Sequence, residues 1–151
     1  MGRWEPWVLA AAAVVLLAAV IWTVRPEGTP DGVPARPHRG DIWWAELPLA
    51  AGAGSKLRPC LILLRHRRGV VVLTITSQDM SGHRDHLPIS ARAWDPSARR
   101  DSYVCVGEPI MVSAEALRRR AGTCDPAVLQ ETCRRAGLQP RDLRNFAKHA
   151  S

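Results

Sequence analysis

The sequence predicts a mainly β domain with C-terminal helices, built as a small barrel and preceded by one N-terminal transmembrane helix. Three observations predict this fold. Residues 7–24 are almost wholly apolar and carry no charge. Short apolar runs separated by tight turns come next, as in small β-barrels. Signals for helix starts come last along the chain. A chain of 151 residues holds one ordinary domain of this kind and excludes a multidomain enzyme.

The N-terminal apolar stretch is long enough to cross a bilayer. Thr23 is its only residue that is not apolar, and a helix over residues 7–24 rises roughly 27 Å, close to the thickness of a bilayer core. Trp4 and Trp22 stand at its ends, where indole rings favour the membrane interface. We expect a retained anchor over residues 1–25. The alternatives are a cleaved signal peptide and a core helix, but the segment lacks a small-residue cleavage site and a polar face.

A Pro/Gly-rich linker over residues 26–38 separates the anchor from the domain at 39–151. Arg25, Arg36 and Arg39 follow the apolar stretch, so the positive-inside rule weakly favours a cytoplasmic domain at the cell membrane. Residues 38–151 hold 18 basic and 11 acidic residues and thus the whole net charge of +7. This suits a polyanionic partner, either nucleic acid or anionic lipid, with a solvated Arg-rich surface as the alternative.

Strands are predicted in the first part of the domain and helices in the last. The predicted strands cover residues 41–47, 60–64, 70–75, 86–89 and 103–106. The predicted helices cover residues 113–120, 126–137 and 140–149. The runs CLILL and VVVLTI are continuous and apolar, as in strands buried on both faces. Ser113 is a plausible N-cap, and Asp125-Pro126 combines a cap with proline at the first helical position.

Metal and redox signals are weak. His83, Asp85 and His86 lie close together in a polar loop, but a metal site would need a further ligand, so exposed loop histidines are the simpler interpretation. The four cysteines show no C-x-x-C spacing, which argues against zinc and thioredoxin-type sites. We therefore expect no cofactor and no metal.

One ordered set of motifs is more specific. Arg39-Gly40-Asp41-Ile42-Trp43-Trp44 opens the first strand, Arg58-Pro59 leads into CLILL, and the third strand ends in Ile75-Thr76-Ser77-Gln78. In this order and spacing the chain resembles the MazF/PemK family of toxin endoribonucleases from toxin–antitoxin pairs. The resemblance covers about residues 39–117 and continues loosely beyond residue 125. It implies an SH3-like barrel that forms a homodimer, cuts single-stranded RNA without metal and is neutralised by an antitoxin.

The resemblance also implies which residues act. The family's catalytic arginine falls on Arg58 and its threonine on Thr76. A guanidinium suits charge building on a phosphate, but it is a poor general base. A surface arginine and a strand-end threonine are the structural alternatives. The expected substrate-binding residues are Lys56, Ser77, Gln78, Arg65, Arg84 and Glu108.

The chain departs from the family pattern in three places. Ala53 stands where the family loop often has an acid, and Val106 stands where some members have an arginine. The anchor is the third departure, since these toxins are usually soluble. The alternative hypothesis is therefore a catalytically weak or inactive module that binds RNA or a protein partner at the membrane. A weaker option is gyrase poisoning, as in a related toxin group.

Overall fold

The computed structural model describes residues 36–49, 52, 54–139 and 141. Within these residues it has seven strands and one α-helix, which confirms the prediction of a mainly β fold with a C-terminal helix. The elements are β1 (Asp41–Pro48), β2 (Ser55–His66), β3 (Gly69–Thr76), β4 (His86–Ile89), β5 (Ser102–Cys105), β6 (Ile110–Val112), β7 (Leu117–Thr123) and α1 (Pro126–Arg135).

Three predicted features fall outside this part of the chain. The anchor and almost all of the linker precede residue 36, and the helix predicted over residues 140–149 lies outside the described residues except for residue 141. None of the helices that the structure describes has the length and apolar character needed to cross a membrane.

The strands form one antiparallel sheet in the order β4-β5-β3-β2-β1-β7. Strand β3 has a further neighbour because two short strands share its outer edge. Its residues 75–76 pair with β5, and its residues 70–72 pair with β6. A two-residue turn joins β2 to β3, with His66 opposite Gly69. Glycine is required at position 69, since a Cβ atom there would collide with the carbonyl oxygen of Val112.

Both faces of the central strands are buried, as the continuous apolar runs predict. Ile42, Leu61 and Leu73 belong to one apolar layer, against which α1 packs through Val128 and Leu129. The other layer includes side chains of β1, β2 and β3 that alternate with the first set: Trp43, Ala45, Leu47, Cys60, Ile62, Val70 and Val72. The paired strands β2 and β3 are therefore held rigidly along their middle, and their ends carry the polar residues.

The helix predicted over residues 113–120 is wrong. Only Ala114–Ala116 form a single 3-10 turn, and Leu117–Thr123 form strand β7 along the free edge of β1. Ala, Leu and Arg have good helix propensity, but pairing satisfies backbone groups that β1 would otherwise leave unpaired. The three-residue strand β6 was not predicted.

An ion pair fastens β7 to the start of β1. The Asp41 carboxylate is buried and accepts a hydrogen bond from Arg120 at 2.9 Å and another from the backbone N–H of His38 at 2.9 Å. Burial alone would raise the pKa of Asp41, but the Arg120 and His38 hydrogen bonds lower it overall. The aspartate of the Gly40-Asp41 motif thus has a structural task in this fold.

Candidate functional site

A pocket of about 340 Å³ opens where the start of β2 meets the end of β3. Its walls come from β1, β2, the end of β3, the segment between β4 and β5, and the start of β5. The lining residues are Trp44, Lys56, Arg58, Pro59, Ile75, Thr76, Ser77, Gln78, Trp94, Asp95 and Ser102.

The pocket brings together five of the eight residues that the sequence singled out. Arg58 and Lys56 are exposed on β2, and Thr76 ends β3, with Ser77 and Gln78 directly after it. The strand register explains the meeting. Because β2 and β3 are antiparallel neighbours, the beginning of one lies beside the end of the other.

The hydroxyl of Thr76 has one local hydrogen bond. Its Oγ1 accepts from the backbone N–H of Gln78 at 3.2 Å, and its backbone pairs with Tyr103 of β5. The hydrogen bond uses the oxygen as an acceptor, so the hydroxyl proton stays available for a bound oxyanion. The side chain is half-buried, and pairing with β5 holds the backbone of Thr76 in place.

The other three predicted residues lie elsewhere. Arg65 is near the β2–β3 turn, where a second cavity is lined by Arg65, His66 and Arg67. Arg84 lies in the loop before β4, in a cavity that it shares with Tyr103 and Arg135 among others. Glu108 is exposed after β5, and neither of these cavities nor the main pocket includes it. The structure thus does not bring Arg65, Arg84 and Glu108 together with Arg58.

Two tryptophans in the pocket wall were not predicted as site residues. Trp44 is half-buried, and the Arg119 guanidinium of β7 lies 6.0 Å from its ring centroid. Trp94 packs against Gly122 so closely that a Cβ atom at position 122 would lie 2.8 Å from the Trp94 Cβ. The sequence placed Trp44 in the first strand without a role in the site, and nothing in the sequence assigned the irregular segment around Trp94 to the site.

Asp95 follows Trp94 and brings a carboxylate to the pocket. Its Oδ1 accepts hydrogen bonds from the Ser97 hydroxyl at 2.6 Å and from the Ser97 backbone N–H at 3.1 Å. Its own N–H donates to Ala91 at 2.7 Å, and its carbonyl accepts from Ala98 at 3.0 Å. The side chain therefore projects from a closed turn.

The loop before β4 contains a small group of possible metal ligands. Ligand atoms of His83, Asp85 and His86 lie within 4.8 Å of one another. His86 Nδ1 already lies 2.9 Å from Asp85 Oδ1, and this hydrogen bond holds the pKa of the Asp85 carboxyl below its usual value. An ion would have to replace this hydrogen bond close to Arg84. The expectation that these are loop histidines stays a prediction.

The family model described as "PemK-like, MazF-like toxin of type II toxin-antitoxin system" matches residues 38–139. No curated protein matches the chain.

Solved structures match the same part of the chain. MazE–MazF from Deinococcus radiodurans matches with a TM-score of 0.54 and 18% identity over 71% of this chain and 95% of that one. The Mycobacterium tuberculosis toxin MazF-mt6 matches with a TM-score of 0.50 and 24% identity over 66% of this chain and 98% of that one. Both matches support the fold.

Proposed function

Because the chain belongs to the family of PemK-like, MazF-like toxins of type II toxin–antitoxin systems, we propose that it is a sequence-selective endoribonuclease toxin. It cleaves single-stranded RNA without a metal ion, and a cognate antitoxin neutralises it. The observation that carries the proposal is the pocket that joins Arg58 to Thr76.

The pocket residues suit attack by a ribose 2′-hydroxyl on the adjacent phosphate. That attack adds negative charge to the phosphoryl oxygens, and the Arg58 guanidinium can bind two of them with paired hydrogen bonds. The hydroxyls of Thr76 and Ser77 donate further hydrogen bonds to the same phosphate. Lys56 and Gln78 bind the RNA backbone next to this phosphate. The indole ring of Trp44 offers a face on which a nucleobase can stack.

The proposal is tested with the purified full chain in mild detergent. Single-stranded RNA is incubated with the protein in excess EDTA, beside the same RNA with 2′-deoxyribose at each cleavage position. We expect cleavage of the RNA and none of the deoxy-substituted strand, since the nucleophile is missing there. Intact RNA at stoichiometric protein, or cleavage abolished by EDTA, would contradict the proposal.

A second candidate is a module that binds RNA without cutting it. Val106 favours this candidate, because it is buried in the core where some family members carry an arginine. Position 53, where the loop acid is replaced by alanine, lies outside the described residues. This module would bind RNA with an affinity that falls steeply with salt and leave the strand intact.

The proposed toxin is anchored in the membrane and acts as a homodimer. Residues 7–24 anchor the protein in the cell membrane with the domain in the cytoplasm, where RNA and an antitoxin are present. The domain is an SH3-like barrel that acts as a homodimer. A reporter enzyme fused to the C-terminus tests the topology. A signal from outside the cytoplasm would remove the proposed access to RNA.

A further inference from the structure

The proposed cleavage needs a base that Arg58 cannot supply. The 2′-hydroxyl must lose its proton as it attacks, and general-base help in such steps is worth about 10²–10⁴-fold in rate. A guanidinium is always protonated in proteins, and a lysine ammonium group has no hydrogen-bond acceptor. The hydroxyls of Thr76, Ser77 and Ser102 are also poor proton acceptors.

One carboxylate remains among the described residues that line the pocket. Asp95 lies in the same wall as Trp94, facing the cavity that holds Arg58 and Thr76. It is half-buried, which limits the water that competes for its oxygens. Its place in the chain, between β4 and β5, is far in sequence from the loop position taken by Ala53.

The hydrogen bonds of Asp95 leave one oxygen available. Both Ser97 hydrogen bonds end on Oδ1, and within the described part of the chain Oδ2 has no hydrogen-bond partner. The backbone hydrogen bonds from Asp95 to Ala91 and from Ala98 to Asp95 fix the turn around it. The result is a positioned carboxylate with a free acceptor in a pocket whose other charged lining residues are Lys56 and Arg58.

We infer that Asp95 is the general base of the proposed ribonuclease, an assignment that rests on the proposed function. Asp95 Oδ2 takes the proton from the 2′-hydroxyl as the 2′-oxygen bonds to phosphorus and the bond from phosphorus to the 5′-oxygen breaks. Solvent supplies one proton to the leaving 5′-oxygen and removes one from Asp95, so the cycle is proton-neutral. The products are a 2′,3′-cyclic phosphate and a 5′-hydroxyl.

The test replaces Asp95 while keeping its turn. In Asp95→Asn the amide oxygen can still accept both Ser97 hydrogen bonds, so the fold should survive and the base is lost. We expect single-turnover cleavage by the full chain to fall by about 100-fold or more. The Kd for the 2′-deoxy-substituted strand should stay within about twofold, since a base acts in the chemical step. The Asp95→Glu variant should recover part of the rate. The control is Asp101→Asn, which replaces an exposed carboxylate outside the pocket lining and should cleave as fast as wild type.

A modified substrate separates a base from an acid. When sulfur replaces the scissile 5′-oxygen, the leaving group needs no proton. A general base is still needed there, so the Asp95→Asn deficit should persist, whereas its disappearance would assign Asp95 to the leaving group and overturn the inference. Equal loss of cleavage and of binding would reduce Asp95 to a binding role. Full activity in Asp95→Asn would overturn the inference alone, but failure of the wild-type chain to cleave would remove the proposed function with it.

Discussion

The β2–β3 hairpin has basic residues at both of its ends, but only one end has the variety of side chains that an active site needs. At the open end, Arg58 and Lys56 share a pocket with hydroxyls, two indole rings and the Asp95 carboxylate. At the turn end, the cavity has Arg65, His66 and Arg67 as its lining residues. Both ends project from the same rigid pair of strands.

The difference shows that positive charge is enough to bind RNA but is not enough to catalyse its cleavage. Cations alone attract a polyanion and let it slide, because phosphates are alike along a strand. Chemistry needs unlike groups fixed around one phosphate: a cation for the developing charge, hydroxyl donors and a base. The open end has these groups because β2, the end of β3 and the segment between β4 and β5 all line the pocket there. The turn, by contrast, is a single short segment.

The largest expected effect on the cleavage rate is found when an arginine at one end of the hairpin, and separately one at the other end, is replaced with alanine. Arg58→Ala should lower the single-turnover cleavage rate by about 100- to 1,000-fold, as expected when one preorganised donor to a developing oxyanion is lost. Arg65→Ala removes the same charge from the turn and should change the rate by less than about threefold. Rates are measured on one RNA at saturating protein.

Two controls show whether the change in rate comes from the site and not from a change in folding or charge. Both variants should keep the wild-type melting temperature, because both side chains are exposed. Arg58→Lys keeps the charge but cannot form two parallel hydrogen bonds with a phosphate, so it should restore binding more than rate. Equal rates for the Arg58→Ala and Arg65→Ala variants would show that the two ends act alike and would break the comparison.

The second prediction concerns the tryptophans of the open-end pocket, since the described lining of the turn-end cavity has no tryptophan. Trp44→Ala should weaken binding of the 2′-deoxy-substituted strand by about 1–3 kcal/mol, the usual range for one base stacked on an aromatic ring. Trp44→Phe keeps a stacking face and should recover most of that loss. His66→Ala is the matched control at the turn. Affinity is measured by fluorescence anisotropy, and an unchanged Kd in Trp44→Ala would exclude stacking on this ring.

The open end was also the part of the site that the sequence could predict. Arg58 and Thr76 flank continuous apolar runs, so the pattern placed each of them beside a strand, and the family resemblance gave them their roles. The structure shows that β2 begins earlier, at Ser55, and that antiparallel pairing of β2 with β3 brings the two residues to one pocket. Trp94 and Asp95 could not be found this way, because their segment is irregular and has no periodicity. The segment Leu117–Thr123 was predicted to be largely helical because its residues favour helix locally. It forms a strand instead because it pairs with β1, which lies about 75 residues earlier in the chain.

A third prediction concerns the turn end by itself. Replacing both Arg65 and Arg67 with glutamine should raise the KM for RNA a few-fold and leave kcat unchanged, because these cations contact phosphates away from the reacting one. The slope of log K against log salt should decrease by about 1.4, since each phosphate contact on single-stranded RNA contributes about 0.7. The slope is measured between low and physiological salt. A change in kcat would extend the catalytic region to the turn.

The smallest effect is expected from Cys60, which lies in β2 between the two ends. Burial raises the pKa of its thiol to about 12, so at pH 8 only about one molecule in ten thousand carries the reactive thiolate. We therefore expect no alkylation of Cys60 by iodoacetamide in the folded protein, and full alkylation in denaturant, with the half-buried Cys105 as the internal reference. Modified peptides are counted by mass spectrometry. Labelling of Cys60 as fast as Cys105 would mean that the hairpin opens between its ends, and neither end could then hold its side chains in fixed positions.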